Sequence, residues 1–220
     1  MSPCAVITGS GSGIGKEIAH AYAKEGYELC LLGRDVHKLS QTGNELSTPY
    51  HSFPIDLNQL DQVEQVGNEL TDYLKNKKLK ALIHNAGLIH RAPFQKTTRD
   101  QWQESFHVHL LGPLLLTQKL IPLLALSAPA SIVHVSSTLG IKPIKDTSSY
   151  SAIKAALINL THSLALELSD LGIRVNAVAP GIVETPIHGQ WTDEMRTQMN
   201  HLQPLKRIGT PQEIARSVFF

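Results

Sequence analysis

The sequence has few of the features that mark secreted, nucleic-acid-binding or membrane proteins. Only two of its 220 residues are cysteines, Cys4 and Cys30, and both lie in apolar segments. Buried thiols in a reducing compartment are therefore expected rather than a disulfide. Because 20 Lys and Arg residues against 19 Asp and Glu residues leave a net charge of +1, neither a polybasic nucleic-acid surface nor an acidic tail is expected.

Long uninterrupted hydrophobic runs are also missing. No basic segment followed by an apolar core opens the chain, so a signal peptide is not predicted. The most apolar stretch, 110–126, is broken by glycine, proline, glutamine and lysine residues. A membrane-spanning helix needs about 20 mostly apolar residues. We therefore expect a buried helix here, no membrane association, and a soluble cytoplasmic protein.

Short apolar segments alternate with longer segments of helical period. The expected strands are 4–8, 28–32, 51–55, 79–83, 131–135 and 173–179. The expected helices are 14–25, 36–46, 59–75, 99–126 and 150–169. Apolar strands separated by helices indicate a mostly parallel sheet that is covered on both faces, because each crossover places a helix on one side or the other. The pattern predicts one doubly wound α/β domain over residues 1–220.

The regular alternation ends after Ala179. Residues 180–210 contain several prolines and glycines around a short amphipathic piece, 192–202, before a last helix that begins near Pro211. A long irregular segment in a compact domain is usually a lid or a binding loop, although a packed surface excursion is the alternative. We expect a substrate lid near 183–210.

A glycine-rich turn joins the first expected strand to the first expected helix. It reads Thr-Gly-Ser-Gly-Ser-Gly-Ile-Gly over residues 8–15. Glycines allow a tight turn, and they let backbone amides and the helix N-terminus approach a pyrophosphate. In this strand-turn-helix context the motif predicts a dinucleotide site rather than a merely flexible turn.

With Asn-Ala-Gly at 85–87, Ser137, the pair Tyr150 and Lys154, Asn176 and Pro-Gly at 180–181, the chain resembles the short-chain dehydrogenase/reductase family over nearly its whole length. The resemblance implies a Rossmann fold and a nicotinamide cofactor. The residues it assigns to the cofactor are Gly9, Ser12, Gly13, Ile14, Gly15, Asp56, Leu57, Asn85, Ala86, Gly87, Tyr150, Lys154, Pro180, Gly181, Val183 and Thr185.

Charge at the end of the second expected strand bears on which dinucleotide binds. An acidic residue there usually holds the ribose of NAD, whereas NADP needs a cation for its 2′-phosphate. This chain has Gly33 at the position of the acid, followed by Arg34. We therefore expect NADP(H) to be preferred, with NAD(H) as the alternative because Asp35 is adjacent. If Asp35 caps the following helix, it leaves Arg34 free.

The sequence contains two Tyr-x-x-x-Lys pairs, Tyr73/Lys77 and Tyr150/Lys154. The first lies at a lysine-rich helix end and is interpreted as a solvated face. The second follows Ser137, which ends the fifth expected strand. Ligands of open α/β sheets bind beyond the carboxyl ends of strands, so the second pair is the catalytic candidate.

The chemistry of a ketone–alcohol interconversion suits Ser137, Tyr150 and Lys154. Tyr150 would supply the proton, although the ordinary pKa of a phenol, about 10, is too high for this transfer. A nearby ammonium group on Lys154 would lower that pKa and also reach the ribose. Ser137 would hydrogen-bond the substrate oxygen, with Ser136 as its support.

One position departs from the family pattern. Relatives usually carry Asn in the long helix, where it helps to hold a water that links the lysine to solvent, and this chain has His109 there. An imidazole can donate or accept through one nitrogen, so His109 is a candidate for the same relay.

A metal site is not expected, since the sequence has no H-E-x-x-H motif and His107 and His109 face different ways on a helix. The expected lid residues suit a modest-sized, partly hydrophobic carbonyl or alcohol, or else simply pack. They are Ile187, His188, Trp191, Met195 and Met199.

The sequence thus predicts an NADP(H)-dependent oxidoreductase acting on a small molecule. A non-catalytic NADP-binding sensor or scaffold is the alternative, and a methyltransferase is disfavoured by the serine, tyrosine and lysine set. The resemblance implies a homodimer or homotetramer through the helices 99–126 and 150–169. It also implies a seventh strand beyond Phe220, so we expect these 220 residues to be part of a longer enzyme that here lacks that last strand.

Overall fold

The computed structural model describes residues 2–189 and 192–219. Six strands form one parallel sheet: β1 (Pro3–Thr8), β2 (Glu28–Gly33), β3 (Tyr50–Pro54), β4 (Lys78–His84), β5 (Ala130–Val135) and β6 (Ile173–Val178). Their spatial order is β3-β2-β1-β4-β5-β6. The chain therefore winds outward in one direction from β1 to β3 and in the other from β4 to β6, which confirms the expected doubly wound fold.

Eight α-helices occur in the described residues. They are α1 (Gly13–Lys24), α2 (Val36–Asn44), α3 (Leu60–Leu74), α4 (Arg99–Phe106), α5 (Gly112–Leu126), α6 (Ser148–Glu167), α7 (Asp193–Leu202) and α8 (Pro211–Phe219). Strand and helix bounds differ from the sequence expectations by a residue or two at most ends. The expected helix 99–126 is more irregular, because a wide π-helical turn, His107–Leu111, joins α4 to α5.

Side chains of β1 alternate between two hydrophobic layers, as the pleat of a strand requires. Cys4 and Val6 pack with buried residues of α3 and α5, whereas Ala5 and Ile7 pack with buried residues of α1 and α8. Both faces of the sheet are therefore covered. Both cysteines are buried as free thiols.

The helical run Arg99–Leu126 is long and apolar enough to cross a membrane by length and composition. Leu116, Leu120 and Leu124 of this run are buried in the hydrophobic layer shared with α3. These leucines serve as core residues of the α/β fold, as expected from the sequence.

The pair Tyr73/Lys77 is not on a solvated face, and that interpretation was wrong. The Tyr73 hydroxyl and the Lys77 ammonium both donate to the same carboxylate oxygen of Glu28, each at 2.7 Å. Glu28 is the first residue of β2 and its side chain is only 17% exposed. Because Glu28 is distant in sequence but lies at the amino end of β2 beside this pair, the two residues form a partly buried ion-pair cluster with it.

Candidate active site

A cleft of about 810 Å³ runs along the carboxyl ends of the strands. It passes between the turns that follow β1 and β4, where the winding of the sheet reverses, and this is the place where open α/β sheets bind ligands. Its walls extend from Arg34 at one end to Tyr150 and Met199 at the other. The sequence-predicted cofactor residues other than Gly15 thus share one cavity with the catalytic candidates.

The glycine-rich turn has the geometry of an anion site. Gly9 and Gly13 have φ angles of +68° and +55°, which side-chain-bearing residues rarely adopt. Ser12 precedes α1 in an extended conformation, and its side chain does not cap the helix. The first turn of α1 contains no acidic residue. Its amides are therefore available to a phosphate, which the helix dipole also favours.

Gly15 does not line the cleft, although the sequence assigned it to the cofactor. A side chain at this position would overlap the carbonyl oxygen of Gly9 and the side-chain nitrogen of Asn85. The residue lies in the first turn of α1 on the side that faces the sheet. The absence of a side chain at Gly15 allows the helix to pack closely against the turns.

Asn85 ties the turn after β4 to the turn after β1. Its side-chain amide donates to the carbonyl oxygens of Thr8 and Gly9 at 3.1 and 3.2 Å. The Thr8 hydroxyl in return accepts from the backbone amides of Asn85 and Ala86 at 3.0 and 3.1 Å. These bonds hold both turns rigidly beside the cleft, and Asn85, Ala86 and Gly87 all line it.

Arg34 is exposed at the edge of the cleft, just after β2. Asp35 caps α2 by accepting from the Lys38 amide at 3.1 Å. This is the arrangement that was expected to leave Arg34 free. Among the described residues, Arg34 forms no ion pair. Lys38 also lines this end, and the sequence analysis missed it. The sequence signal that could have identified Lys38 was its position four residues after Arg34.

Ser137, Tyr150 and Lys154 lie together at the other end of the cleft. Ser137 follows β5 and accepts from the Leu139 amide at 3.1 Å. Tyr150 and Lys154 lie one turn apart on α6, with the Lys154 nitrogen 5.6 Å from the centre of the tyrosine ring. The Ser136 hydroxyl donates to the Lys154 carbonyl at 3.0 Å, which couples β5 to α6.

The pKa values in this group differ from the simple expectation. Burial raises the pKa of Tyr150, while a hydrogen bond with Ser137 and the charge of Arg91 partly oppose the rise. Burial lowers the pKa of Lys154 to about 7. Lys154 is not among the groups that shift the pKa of Tyr150 in this structure, where burial has the largest effect.

His109 lies in the π-helical turn and is almost fully buried. Its Nε2 lies 2.8 Å from the Leu88 carbonyl oxygen and 3.3 Å from the Leu88 amide nitrogen. The shorter contact requires Nε2 to carry the proton and donate, and in that tautomer Nδ1 is a buried acceptor without a hydrogen-bond partner among the described residues. Burial and the charge of Lys154 lower the pKa of the imidazole well below 6.5. The neutral ring packs edge-on against Tyr150, with ring centres 5.4 Å apart.

The segment after β6 closes the catalytic end of the cleft. The Glu184 amide donates to the Gly209 carbonyl at 3.0 Å, and the Gly209 amide donates to the Ile182 carbonyl at 2.9 Å, so the segment returns on itself opposite Val183. Seven residues of 180–187 line the cleft: Pro180, Gly181, Ile182, Val183, Thr185, Pro186 and Ile187. The side chain of Thr185 also touches the glycine turn, since a side chain at Gly13 would come within 3.3 Å of it.

Of the expected lid residues on α7, only Met199 lines the cleft. Met195 lies one turn earlier and is 45% exposed outside it, because the C-terminal end of α7 is the end that reaches the cavity. Leu202 and Gln203, which follow Met199 at this end of α7, line the cleft with it. Trp191 and the side chain of His188 lie outside the described residues.

The described histidines do not assemble a metal site. His107 bonds Asn58 at 3.2 Å, while His109 points to Leu88, so the two rings face different ways as expected. His84 and His134 stack in the core and each contacts a threonine hydroxyl at 2.8 Å. No group of three His, Cys, Asp or Glu residues suited to a metal occurs within 2–189 and 192–219.

The catalytic end also contains residues that the sequence analysis missed, namely Leu88, Ile89, Arg91, Leu139, Lys142 and Ile144. They come from the loops after β4 and β5. These loops lack a regular period, so the sequence contained no signal beyond their position after strands that end at the cleft.

Known proteins resemble this chain over nearly its whole length. A family model described as short chain dehydrogenase matches residues 3–196. The 3-oxoacyl-(acyl-carrier-protein) reductase of Thermotoga maritima is 31% identical, and the match covers 98% of this chain and 88% of that protein. An oxidoreductase of Escherichia coli without an assigned substrate is 33% identical over 99% of this chain and 87% of its own length.

Two solved structures have the same architecture. A protein from Beutenbergia cavernae, described as an NAD(P)-dependent gluconate 5-dehydrogenase and containing NADP, has a TM-score of 0.90 at 30% identity. The match covers 99% of this chain and 88% of that one. A 3-ketoacyl-(acyl-carrier-protein) reductase from Brucella melitensis in complex with NADH also has a TM-score of 0.90, at 26% identity over 99% of this chain and 89% of that one.

Proposed function

The chain belongs to the short-chain dehydrogenase family and is an NAD(P)-dependent oxidoreductase, and on that premise we propose that it interconverts a ketone and a secondary alcohol, with Tyr150 as the acid and base. The observation that carries the proposal is the cavity shared by the glycine-rich turn and by Ser137, Tyr150 and Lys154. A dinucleotide site and an acid–base group that face one cleft are what hydride transfer to a carbonyl needs.

The residues present fit a dinucleotide. The uncapped N-terminus of α1 behind Ser12, Gly13 and Ile14 would hold the pyrophosphate, and Asp56 and Leu57 would flank the adenine end. The turn at 85–87 would support the ribose, while the segment containing Val183 and Thr185 would hold the nicotinamide end. When bound, the cofactor donates or accepts the hydride.

The three catalytic candidates have separate tasks. Ser137 orients the substrate oxygen by hydrogen bonding. Tyr150 donates its phenolic proton to that oxygen as it becomes an alcohol, or removes the proton in the reverse direction. Lys154 provides positive charge beside the phenol. Because its pKa is about 7, an anionic ligand in the cleft would favour its ammonium form and so strengthen this effect.

His109 takes part in a proton relay in this proposal. Its Nδ1 is a buried acceptor with no described partner, so it can hold a water between Lys154 and solvent. The Nε2 contact with Leu88 fixes the ring for that task.

NADP(H) is the preferred cofactor in this proposal because Arg34 and Lys38 both line the ribose end and a guanidinium group binds phosphate in a bidentate manner. In an Arg34→Ala variant we expect kcat/KM for NADPH to fall about 10- to 100-fold, as for loss of a charged hydrogen bond. The value for NADH should change less than about threefold on the same reasoning. Equal losses with both nucleotides, measured by steady-state kinetics, would contradict the preference.

The proposed substrate is a small carbonyl compound or alcohol, bound beneath a lid formed by 183–210. The relatives act, by name, on a 3-oxoacyl thioester and on a sugar acid, so the family alone does not select among carbonyls. We also propose a cytoplasmic homodimer or homotetramer, since α4, α5 and α6 carry exposed apolar residues that a second copy could cover, namely Phe106, Leu126 and Leu166.

The decisive experiment is a turnover screen. Nicotinamide absorbance is followed with NADPH and with NADH across a panel of ketones and alcohols, and Tyr150→Phe is the control. Tyrosine-dependent turnover supports the proposal. Tight NADPH binding without turnover on any compound would instead indicate the non-catalytic sensor or scaffold.

A further inference from the structure

Two cations line the substrate end of the cleft beside the catalytic tyrosine. Arg91 lies in the loop after β4 and Lys142 in the loop after β5, and both are exposed at the cavity wall. Within the described part of the chain, neither forms an ion pair at 4.0 Å or less. The carboxylates that line the cleft, Asp35 and Asp56, lie at its opposite, adenine end.

Among the described residues, carboxylates of the neighbouring segments form no ion pair with either cation. Asp146, whose carbonyl accepts from the Ala92 amide, forms no ion pair at 4.0 Å or less within the described residues, and the other two carboxylates have other partners. Glu104 pairs with His90 at 2.8 Å, and Glu184 pairs with Arg196 at 2.7 Å. The positive charge of Arg91 and Lys142 is therefore not balanced by these side chains. Uncompensated cations at the wall of a partly apolar cavity attract an anionic ligand.

The loop that contains Arg91 is fixed on both sides. The Leu88 carbonyl accepts from His109 at 2.8 Å, and the Ala92 amide donates to the Asp146 carbonyl at 3.1 Å. Arg91 therefore projects from a short segment held between the π-helical turn and the loop before α6. A side chain on a segment anchored in this way can serve as a specific contact, because less freedom is lost on binding.

Arg91 is also electrostatically close to the reacting group, since its charge lowers the pKa of Tyr150 against the larger effect of burial. An anionic group bound to Arg91 would share the cleft with a carbonyl oxygen that is held by Tyr150 and Ser137. The apolar residues Ile89, Ile144 and Leu202 line the remaining space around it.

We propose that the substrate is an oxo acid or hydroxy acid whose carboxylate binds Arg91, with Lys142 adding positive charge at the mouth of the cleft. A carboxylate suits a single planar guanidinium, which can hold both of its oxygens at once. The proposal rests on the ketone–alcohol function above. In the reduction the carbonyl carbon gains the hydride of NADPH, the carbonyl oxygen gains the proton of Tyr150, and the carboxylate is unchanged.

The test uses a matched series in which only the charge and its position vary. The 2-, 3- and 4-oxopentanoates are compared with their methyl esters as substrates for the parent protein and for Arg91→Ala. For the preferred acid we expect kcat/KM to fall about 10- to 100-fold in Arg91→Ala. The ratio of acid to ester isolates carboxylate binding, because any change in the pKa of Tyr150 affects both members of a pair.

Two further variants test whether the charge of Arg91 and its position in the cleft are responsible for the preference for the acid. Arg91→Lys keeps the charge and should recover part of the preference for the acid. Arg99→Ala removes an arginine that is 86% exposed on α4 and absent from the cleft, and it should leave the acid-to-ester ratio unchanged.

A binding measurement separates this inference from the proposed function. With NADPH present, 2-, 3- or 4-hydroxypentanoate should raise the melting temperature of the parent and of Tyr150→Phe, but not of Arg91→Ala. Absence of turnover on every ketone would refute the proposed function. The rise in melting temperature would still show whether Arg91 binds the carboxylate, because it does not depend on turnover. A parent that prefers the esters, or an acid-to-ester ratio and a melting shift that Arg91→Ala leaves intact, overturns the inference.

Discussion

The two Tyr-x-x-x-Lys pairs have the same sequence spacing but lie at opposite ends of the strands. Tyr73 and Lys77 converge on Glu28 at the amino ends of the strands, with both donor distances at 2.7 Å. Tyr150 and Lys154 face the cleft at the carboxyl ends, and no carboxylate contacts them within the described residues. The Lys154 ammonium donates instead to the Val135 carbonyl at 2.7 Å.

This difference in partners shifts the pKa values of the two lysines in opposite directions. Hydrogen bonding to Glu28 raises the pKa of Lys77, and it outweighs partial burial to lower the pKa of Glu28. Burial and the same carboxylate raise the pKa of Tyr73. By contrast, burial without a counter-ion lowers the pKa of Lys154 to about 7. A carboxylate converts the motif into a stable ion cluster, and its absence leaves a lysine able to exchange a proton near neutral pH.

The largest expected effect is on turnover. Tyr150→Phe removes the proposed proton donor, so kcat should fall about 100-fold or more, the range for loss of general acid catalysis. Tyr73→Phe removes a hydroxyl of the same motif outside the cleft, and its kcat should stay within about twofold. Steady-state kinetics on the best substrate of the screen checks both variants. A large loss of kcat in Tyr73→Phe would contradict the conclusion that only the Tyr150/Lys154 pair takes part in turnover.

Replacement of each lysine by methionine should change stability in opposite directions. At pH 7, Lys154→Met should abolish most turnover yet raise the free energy of unfolding by about 1–3 kcal/mol, because it removes a poorly solvated cation. Lys77→Met should lower it by about 1 kcal/mol, since it leaves Glu28 without its ammonium partner. Urea denaturation measures both, and exposed Lys75→Met on the end of α3 is the matched control.

The pH dependence of the Lys154 effect follows from its lowered pKa. The folded value is about 7 and the ordinary value is 10.5, so the unfolded chain binds more protons between these pH values. The stability of the parent contributed by this group therefore rises with pH across that window. The gain in Lys154→Met should be greatest at pH 7 and should shrink toward pH 10. A gain that is constant with pH would indicate a cause other than ionisation.

Glu28→Gln tests the other cluster at acidic pH. The folded pKa of Glu28 lies below its ordinary value of 4.5, so its contribution to stability is present above that pH and is lost as the pH falls through the folded value. At pH 7 we expect Glu28→Gln to cost about 1 kcal/mol, discounted for partial exposure. The difference from the parent should vanish at low pH, with unchanged kcat at neutral pH.

A smaller effect is expected at His109, beside the catalytic pair. His109→Asn should keep or raise turnover if the side chain serves the water relay, since a short amide can also hold a water. His109→Ala should lower kcat by about threefold to tenfold, below the general range for direct proton transfer. The pH profile of kcat for both variants is the measurement. If His109→Ala turns over as fast as the parent, the relay proposal is wrong.

Much of the fold and of the candidate site was predictable because short segments of the sequence determine these features. The alternation of apolar segments predicted all six strands, and the glycine-rich turn between β1 and α1 predicted the end of the cleft where a phosphate would bind. Ser137, Tyr150 and Lys154 could be placed together from spacing and from the rule that ligands bind at the carboxyl ends of strands.

Other features depended on contacts distant in sequence. Arg91 approaches Tyr150 only because its loop bonds both His109 and the loop before α6. Met195 and Met199 have equivalent spacing on α7, yet only the end of the helix that holds Met199 reaches the cleft. Gly15 resembles the other glycines of its turn but packs against Gly9 and Asn85. None of these distinctions has a local sequence signature.

The sequence by itself determined the doubly wound sheet, the dinucleotide turn and the identity of the catalytic candidates, because hydrophobic period and glycine conformation act over a few residues. Only the tertiary structure decided which tyrosine and lysine pair has a carboxylate partner and which has none. The reason is electrostatic. The ionisation of a side chain depends on burial and on charges within a few ångströms, and folding brings those charges from anywhere in the chain.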